Sequence, residues 1–215
     1  MIIAYKGFEP DLTCRGFQYE LGKTYSLPER PKLCEQGFHA CILPIDVIQY
    51  YSPSTSVYAK VKLSECDVMK DLYDFAFDTK ICGRRIWIST RKICIDELIY
   101  ETFYLLDQLA VFANLDRELP SKYYHRAVKT SVKQLEDEES IAKRIEATIR
   151  FAHTVLGFII KELMDSSQIF DVEDFIQIVI KLQQNKGGVN HVQNRIEARG
   201  KCVRNAVSTG SRADE

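Results

Sequence analysis

The sequence predicts an α+β fold, with a β-rich N-terminal module followed by an α-helical C-terminal module. Two observations carry this. Up to about residue 95, short runs rich in Ile, Val, Tyr and Phe are separated by Gly- and Pro-containing turns. From Asp96 onward, apolar residues recur at helical spacing instead. The chain divides on this basis into a β-rich ligand-binding-type module (1–95), a helical module (96–185) and a basic polar tail (186–215). That tail has few large apolar residues and is expected to be disordered or the start of a truncated repeat.

Ile2-Ile3-Ala4-Tyr5 is an apolar run ended by Gly7, as a buried strand would be. Asp11 to Thr24 contains Gly16 and Gly22 and reads as short extended pieces joined by turns. Ser26 to Lys32, with Pro28 and Pro31, reads as an exposed loop. Phe38 to Ile42 is the next strand. Pro44 and Asp46 then start a short helix that Ser52-Pro53 stops, because Pro pre-sets the first helical turn and an acid suits the positive helix start. Val57 to Leu63 alternates with period two, which puts Lys60 and Lys62 on the wet face of a strand. Cys66 to Phe77 fits a strand or a helical turn. Cys82-Gly83-Arg84-Arg85 reads as a turn, and Arg85 to Thr90 as a further strand.

In the second module, Asp96 is placed to cap a helix from Glu97 to about Asn114. A segment from Ser121 follows. A helix beginning near Glu136-Asp137-Glu138-Glu139 carries Ile141, Ile145, Ile149, Ala152 and Leu156 on one stripe. Asp171 opens the last helix, with Phe175, Ile176, Val179, Ile180 and Leu182 at helical spacing, and Lys186-Gly187-Gly188 stops it. The apolar stripes read first as plain core, and on a further reading make this module a surface for a partner protein or for self-association.

Composition narrows the function. Hydrophobic residues make up 46% of the 215 and charged residues 27%, as in a globular protein that buries a core. The formal net charge of −1 gives no long-range field toward polyanions, which argues against nucleic acid as the partner. No run has the length of a membrane span or the apolar core of a signal peptide. The seven cysteines are irregularly spaced and contain no C-x-x-C, so they read as free thiols in a reducing cytoplasm. His39 with Cys34 and Cys41 falls short of a four-ligand zinc set, so no metal is expected.

Tyr5-Lys6-Gly7-Phe8, Leu12-Thr13-Cys14-Arg15-Gly16-Phe17-Gln18-Tyr19-Glu20-Leu21-Gly22-Lys23-Thr24-Tyr25, Gly37-Phe38-His39-Ala40-Cys41 and the set Pro44, Asp46, Val47, Tyr50 and Tyr51 resemble an uncharacterised domain family associated with bacteriophage and prophage proteins. The resemblance covers residues 2 to 63 and fades beyond Ile88. It implies a viral origin, and hence action in a host cytoplasm, without implying a reaction. Some relatives carry Ala-, Ser-, Thr- and Gly-rich solenoid repeats. Ala198-Arg199-Gly200 and Ala206-Val207-Ser208-Thr209-Gly210 resemble the start of such repeats.

Two chemistries follow for the N-terminal module. The first is binding of a nucleotide-like or other anionic ligand through Lys6, Arg15, Gln18, Tyr19, Lys23, His39 and Tyr51, with Arg84 and Arg85 as additions. Arg and Lys supply charge-assisted donors, the tyrosines supply stacking faces, and Gly16 and Gly22 permit close backbone approach. Such a protein needs no cofactor and could counteract a host defence signal. The second is an ADP-ribosyltransferase-like enzyme acting on NAD. Tyr5-Lys6-Gly7 is similar to the Tyr-Arg-Gly or Tyr-His-Gly that opens such enzymes, and Gly37-Phe38-His39-Ala40 with the following helix resembles a second of their motifs. That chemistry requires a Glu beside the substrate, for which Glu65 and Glu101 are the candidates. A third class, a non-catalytic adaptor for a host protein, rests on the helical stripes.

Overall fold

The computed structural model describes residues 1–115, 138–166 and 170–184, with the side chains of 138–141 left aside. The N-terminal part is an antiparallel sheet and the rest is helical, so the α+β class is borne out. The segment from Ser121, the tail from residue 186 and the helix stop at Lys186-Gly187-Gly188 lie outside the described residues.

β1 (Ile2–Phe8) lies between two other strands of the sheet. On one side it runs against β6 (Val57–Val68), in register from Ile2 opposite Leu63 to Phe8 opposite Val57. On the other side it meets β5 (Phe38–Cys41) at Tyr5 opposite Cys41. β7 (Lys80–Ile93) pairs with β6 along most of its length. Its opposite edge takes β5, with Phe38 opposite Gly83, and β4 (Thr24–Ser26), with Tyr25 opposite Ile86. The pairings β1–β5–β7–β6–β1 therefore close into a ring, which leaves fewer bare strand edges than an open sheet would.

The expected turn at Cys82-Gly83-Arg84-Arg85 is instead continuous β7. Gly83 serves close packing rather than a turn: a Cβ there would lie 2.9 Å from Leu63 Cδ2. The ambiguous stretch Cys66 to Phe77 divides between the end of β6 and α1 (Leu72–Phe77). Asp71 caps α1 by accepting the N–H groups of Tyr73 and Asp74 at 2.8 and 3.1 Å. The short helix after Pro44 is a tighter 3₁₀ turn over Pro44–Gln49.

α2 (Ile95–Phe112) starts two residues earlier than expected, so Cys94 and not Asp96 occupies the cap. The Glu97 carboxylate accepts the Cys94 backbone N–H at 3.0 Å, which satisfies a donor that the helix cannot. α3 (Glu138–Ser166) buries Ile145, Ala152 and Leu156 on the predicted stripe. α4 (Val172–Gln184) buries Val172, Phe175, Ile178 and Val179. These helices share one continuous apolar cluster with the sheet, from Ile2 and Val61 through Leu106 to Ile160 and Phe175. α4 also ties itself to β1. The Gln183 side-chain amide exchanges two 2.9 Å hydrogen bonds with Ile3, accepting its N–H and donating to its carbonyl, as a neighbouring strand residue would. Among the described residues no helix is long and apolar enough to cross a membrane.

Candidate functional site

The site grows from the place where β1 and β5 part. Their ladder stops after Tyr5 opposite Cys41. Just beyond, the Lys6 ammonium donates to the His39 carbonyl at 3.2 Å, taking up an acceptor that strand pairing leaves open. Lys6 is only 4% exposed, and among the described residues no carboxylate pairs with it. Its Nζ lies 3.3 Å from Cys14 Sγ and within 6 Å of the ring centres of Phe8, Tyr19 and Tyr51. Each ring contact of this kind contributes about 0.5–2 kcal/mol, against several kcal/mol for taking an ammonium out of water. Burial is accordingly the main influence on Lys6 and pushes its pKa below the usual lysine range.

Cys14 belongs to a small hairpin, β2 (Thr13–Cys14) and β3 (Phe17–Gln18), laid beside β1. Its two-residue loop is Arg15-Gly16, with φ of +50° and +75°. Positive φ at both central positions matches the twist of tight hairpins. Gly16 adopts it freely, whereas Arg15 carries a left-handed conformation that costs a side-chain-bearing residue about 1–2 kcal/mol. Arg15 is exposed, and among the described residues no carboxylate pairs with it.

Tyr51 closes the site from the far side. Its ring packs flat against β1 because Gly7 has no side chain; a Cβ there would lie 2.3 Å from the Tyr51 ring. The Tyr51 hydroxyl is 2.8 Å from Cys14 Sγ, and Tyr58 fixes the Tyr51 backbone by donating to its carbonyl at 2.7 Å. Burial, then the contact with Cys14, raises the Tyr51 pKa, while the Arg15 charge opposes the rise. Tyr19, 5% exposed, packs edge-on against Phe8, Phe17, Tyr25 and Phe38. His39 is half-buried and its Nε2 accepts the Cys34 backbone N–H at 3.0 Å, which requires the neutral ring. Burial first, then the charges of Lys6 and Arg15, hold its pKa below the ordinary value.

Five of the seven predicted residues share one neighbourhood: Lys6 and Tyr51 meet Cys14, the Tyr19 ring lies beside Lys6, the His39 carbonyl accepts from Lys6, and the Arg15 charge is felt at Lys6, His39 and Tyr51. Gln18 and Lys23 are not part of this arrangement. The Gln18 amide donates to the carbonyls of Asp11 and Tyr19 and so holds its own loop in shape. Lys23 is exposed beside β4, and its backbone carbonyl accepts the Ile88 N–H at 2.9 Å. Arg84 is also occupied, donating to the carbonyls of Leu27 and Pro28 and pairing with Glu65. The other Glu candidate, Glu101, accepts from the Tyr5 hydroxyl and from Lys60.

Sequence reasoning did not single out Cys14 as the centre of the cluster, nor Phe8 and Phe38 as its lining. Their signal lies only in their neighbours, which are distant in sequence. An apolar cavity of about 670 Å³ lies elsewhere, between α2 and α3, lined by Ala110, Leu115, Ala147, Phe151, Val155 and Phe158 among others. It contains none of the predicted residues. Among the described residues no three His, Cys, Asp or Glu side chains are grouped as metal ligands would be.

A domain of unknown function, DUF7666, is found over residues 2–101. The matched region holds the whole sheet and every residue of the cluster, and it ends inside α2. No curated protein and no solved structure matches the chain.

Proposed function

We propose that the N-terminal part of the chain binds a nucleotide-like or other anionic ligand through Arg15, His39 and Tyr51. One observation supports this most: Arg15 is exposed, has no carboxylate partner among the described residues, and is held in a left-handed conformation on a tight turn, with its charge felt at His39 and Tyr51. Sparsely populated backbone conformations persist where the surroundings enforce them, often at ligand sites. Tyr51 offers an aromatic face, with the Lys6 nitrogen within 6 Å of its ring centre. The resemblance to phage-associated domains favours a viral accessory protein, for which capture of a host signalling nucleotide in the cytoplasm would be a fitting role.

An NAD-consuming reaction is less well supported. Glu65 and Glu101, the candidates for its carboxylate, are paired with Arg84 and with Tyr5 and Lys60.

The test is a thermal-shift screen of the full chain against inorganic phosphate, NAD, and mono-, di- and cyclic nucleotides. A ligand of the native state at a hundred times its Kd stabilises by about 2.7 kcal/mol, a readable rise in Tm. The rise should be lost in Arg15→Ala, whose own Tm should not fall. If none of the anions shifts the wild-type transition, the binding reading fails; consumption of NAD would favour the enzyme instead.

A further inference from the structure

Lys6 and Cys14 form a pair that the anion-binding reading leaves unexplained. The Lys6 amine and the Cys14 thiol are 3.3 Å apart, and both are buried, at 4% and 8% exposure. The contact joins two separate elements, β1 and the β2–β3 hairpin. A protonated lysine in such a place is normally neutralised by a carboxylate. Here the side-chain groups around it are a thiol and three aromatic rings. Burial lowers its pKa, so the nucleophilic neutral form is more accessible than in a solvated lysine. The sulfur is covered by the hydroxyl end of Tyr51, 2.8 Å away, and Tyr51 is itself only half-buried. Cys14 therefore lies one side chain below the surface, within reach of a molecule as small as hydrogen peroxide.

We propose that Lys6 and Cys14 constitute an oxidative modification site, at which peroxide converts the pair into a covalent, thiol-reversible S–N link. In the first step the Cys14 sulfur attacks one peroxide oxygen. The O–O bond breaks, the sulfur is oxidised by two electrons to sulfenic acid, and the peroxide is reduced, leaving one water. In the second step the neutral Lys6 amine attacks that sulfur. The N–S bond forms and the S–O bond breaks, and the hydroxyl departs as a second water with the proton released by nitrogen. No further redox change occurs, and the protein has lost two hydrogens in total. Sulfenic acids are known to be captured by nitrogen in this way when one is held against them. A reducing thiol reverses the link by attacking sulfur and returning the amine.

Four of the other cysteines differ in this respect. Cys34, Cys66 and Cys94 are exposed, and no amine is hydrogen-bonded to their sulfurs among the described residues. Burial pushes the Cys82 thiol up to about 12, and it donates to the Gln36 carbonyl. They serve as internal controls.

The experiment treats the intact chain with hydrogen peroxide, followed by denaturation, blocking of free thiols and cleavage after glutamate. Cutting after Glu9 separates Lys6 from Cys14, so a joined pair of peptides is diagnostic. The expected result is that pair, two hydrogens lighter than the sum, absent before treatment, absent in Cys14→Ser, and released by dithiothreitol. Recovery of Cys14 as sulfinic acid, as a stable sulfenic acid trapped by dimedone, or as an unreacted thiol while Cys34 is oxidised would each overturn the proposal. So would joined peptides that carry an additional oxygen, since the bond would then not be S–N.

Discussion

His153 Nε2 lies 2.7 Å from Oδ1 of Asp46, linking the middle of α3 to the 3₁₀ turn after β5. Asp46 is fully buried. Its second oxygen accepts both the backbone N–H and the hydroxyl of Thr79, at 3.1 and 2.7 Å. Thr79 in turn accepts the Leu43 N–H at 2.8 Å. One carboxylate thus fastens the 3₁₀ turn, the start of β7 and α3. Replacing Asp46 by Ala leaves these donors unpaired in the interior, and it should destabilise the protein by about 3–5 kcal/mol. His153→Ala should cost less, about 1–3 kcal/mol, because Asp46 keeps its Thr79 donors. Urea unfolding of the two variants checks the order; equal losses would show that Thr79 contributes nothing to holding the carboxylate.

Gly7 is expected to tolerate no side chain. A methyl there would occupy the position of the Tyr51 ring, 2.3 Å from its Cγ. Gly7→Ala should therefore cost about 1–3 kcal/mol as overpacking. It should also move the Tyr51 hydroxyl off Cys14, making that thiol react faster with a bulky alkylating reagent than in the wild type. Unchanged thiol reactivity together with unchanged Tm would show that Tyr51 is not packed on β1.

The His39 ring should impose an acid-side loss of stability. Its pKa in the folded chain is depressed, chiefly by burial and then by the Lys6 and Arg15 charges, from an ordinary value of about 6.5. The unfolded chain therefore binds a proton more readily than the folded one. The contribution is fully present above pH of about 6.5 and is lost as pH falls through that value toward the lower folded one. Protonation also removes the acceptor for the Cys34 N–H. Melting curves between pH 8 and pH 5 should show a steeper acid-side fall in the wild type than in His39→Gln. Parallel profiles would remove His39 as the cause.

The residues that form strands and helices were largely legible from local pattern. Ile2 to Tyr5, Phe38 to Ile42 and Val57 to Leu63 stand as strands because burial on a pleated sheet selects β-branched and aromatic residues. The stripe Ile145, Ala152, Leu156 stands on α3 because helical period alone puts these residues on one face. Errors arose where one residue type serves two ends. Gly83 has the residue type of a turn former, yet it sits in mid-strand to admit Leu63. Asp96 has the residue type of a cap, yet Cys94 fills that place, since the Glu97 carboxylate satisfies the N–H one turn back.

The sequence by itself determined the class of fold, the order of its elements and the stretch from Tyr5 to Tyr51 as the one richest in chemistry. Tertiary structure alone decided which of those side chains meet. It brought Lys6 and Tyr51 to Cys14 with Tyr19 beside them, sent Gln18 to bind its own loop, and gave His153 a partner 107 positions away in Asp46. The reason is physical. Element formation follows short-range periodicity and turn chemistry, which a sequence displays directly. The fate of a polar side chain depends on which distant group satisfies it once water is excluded.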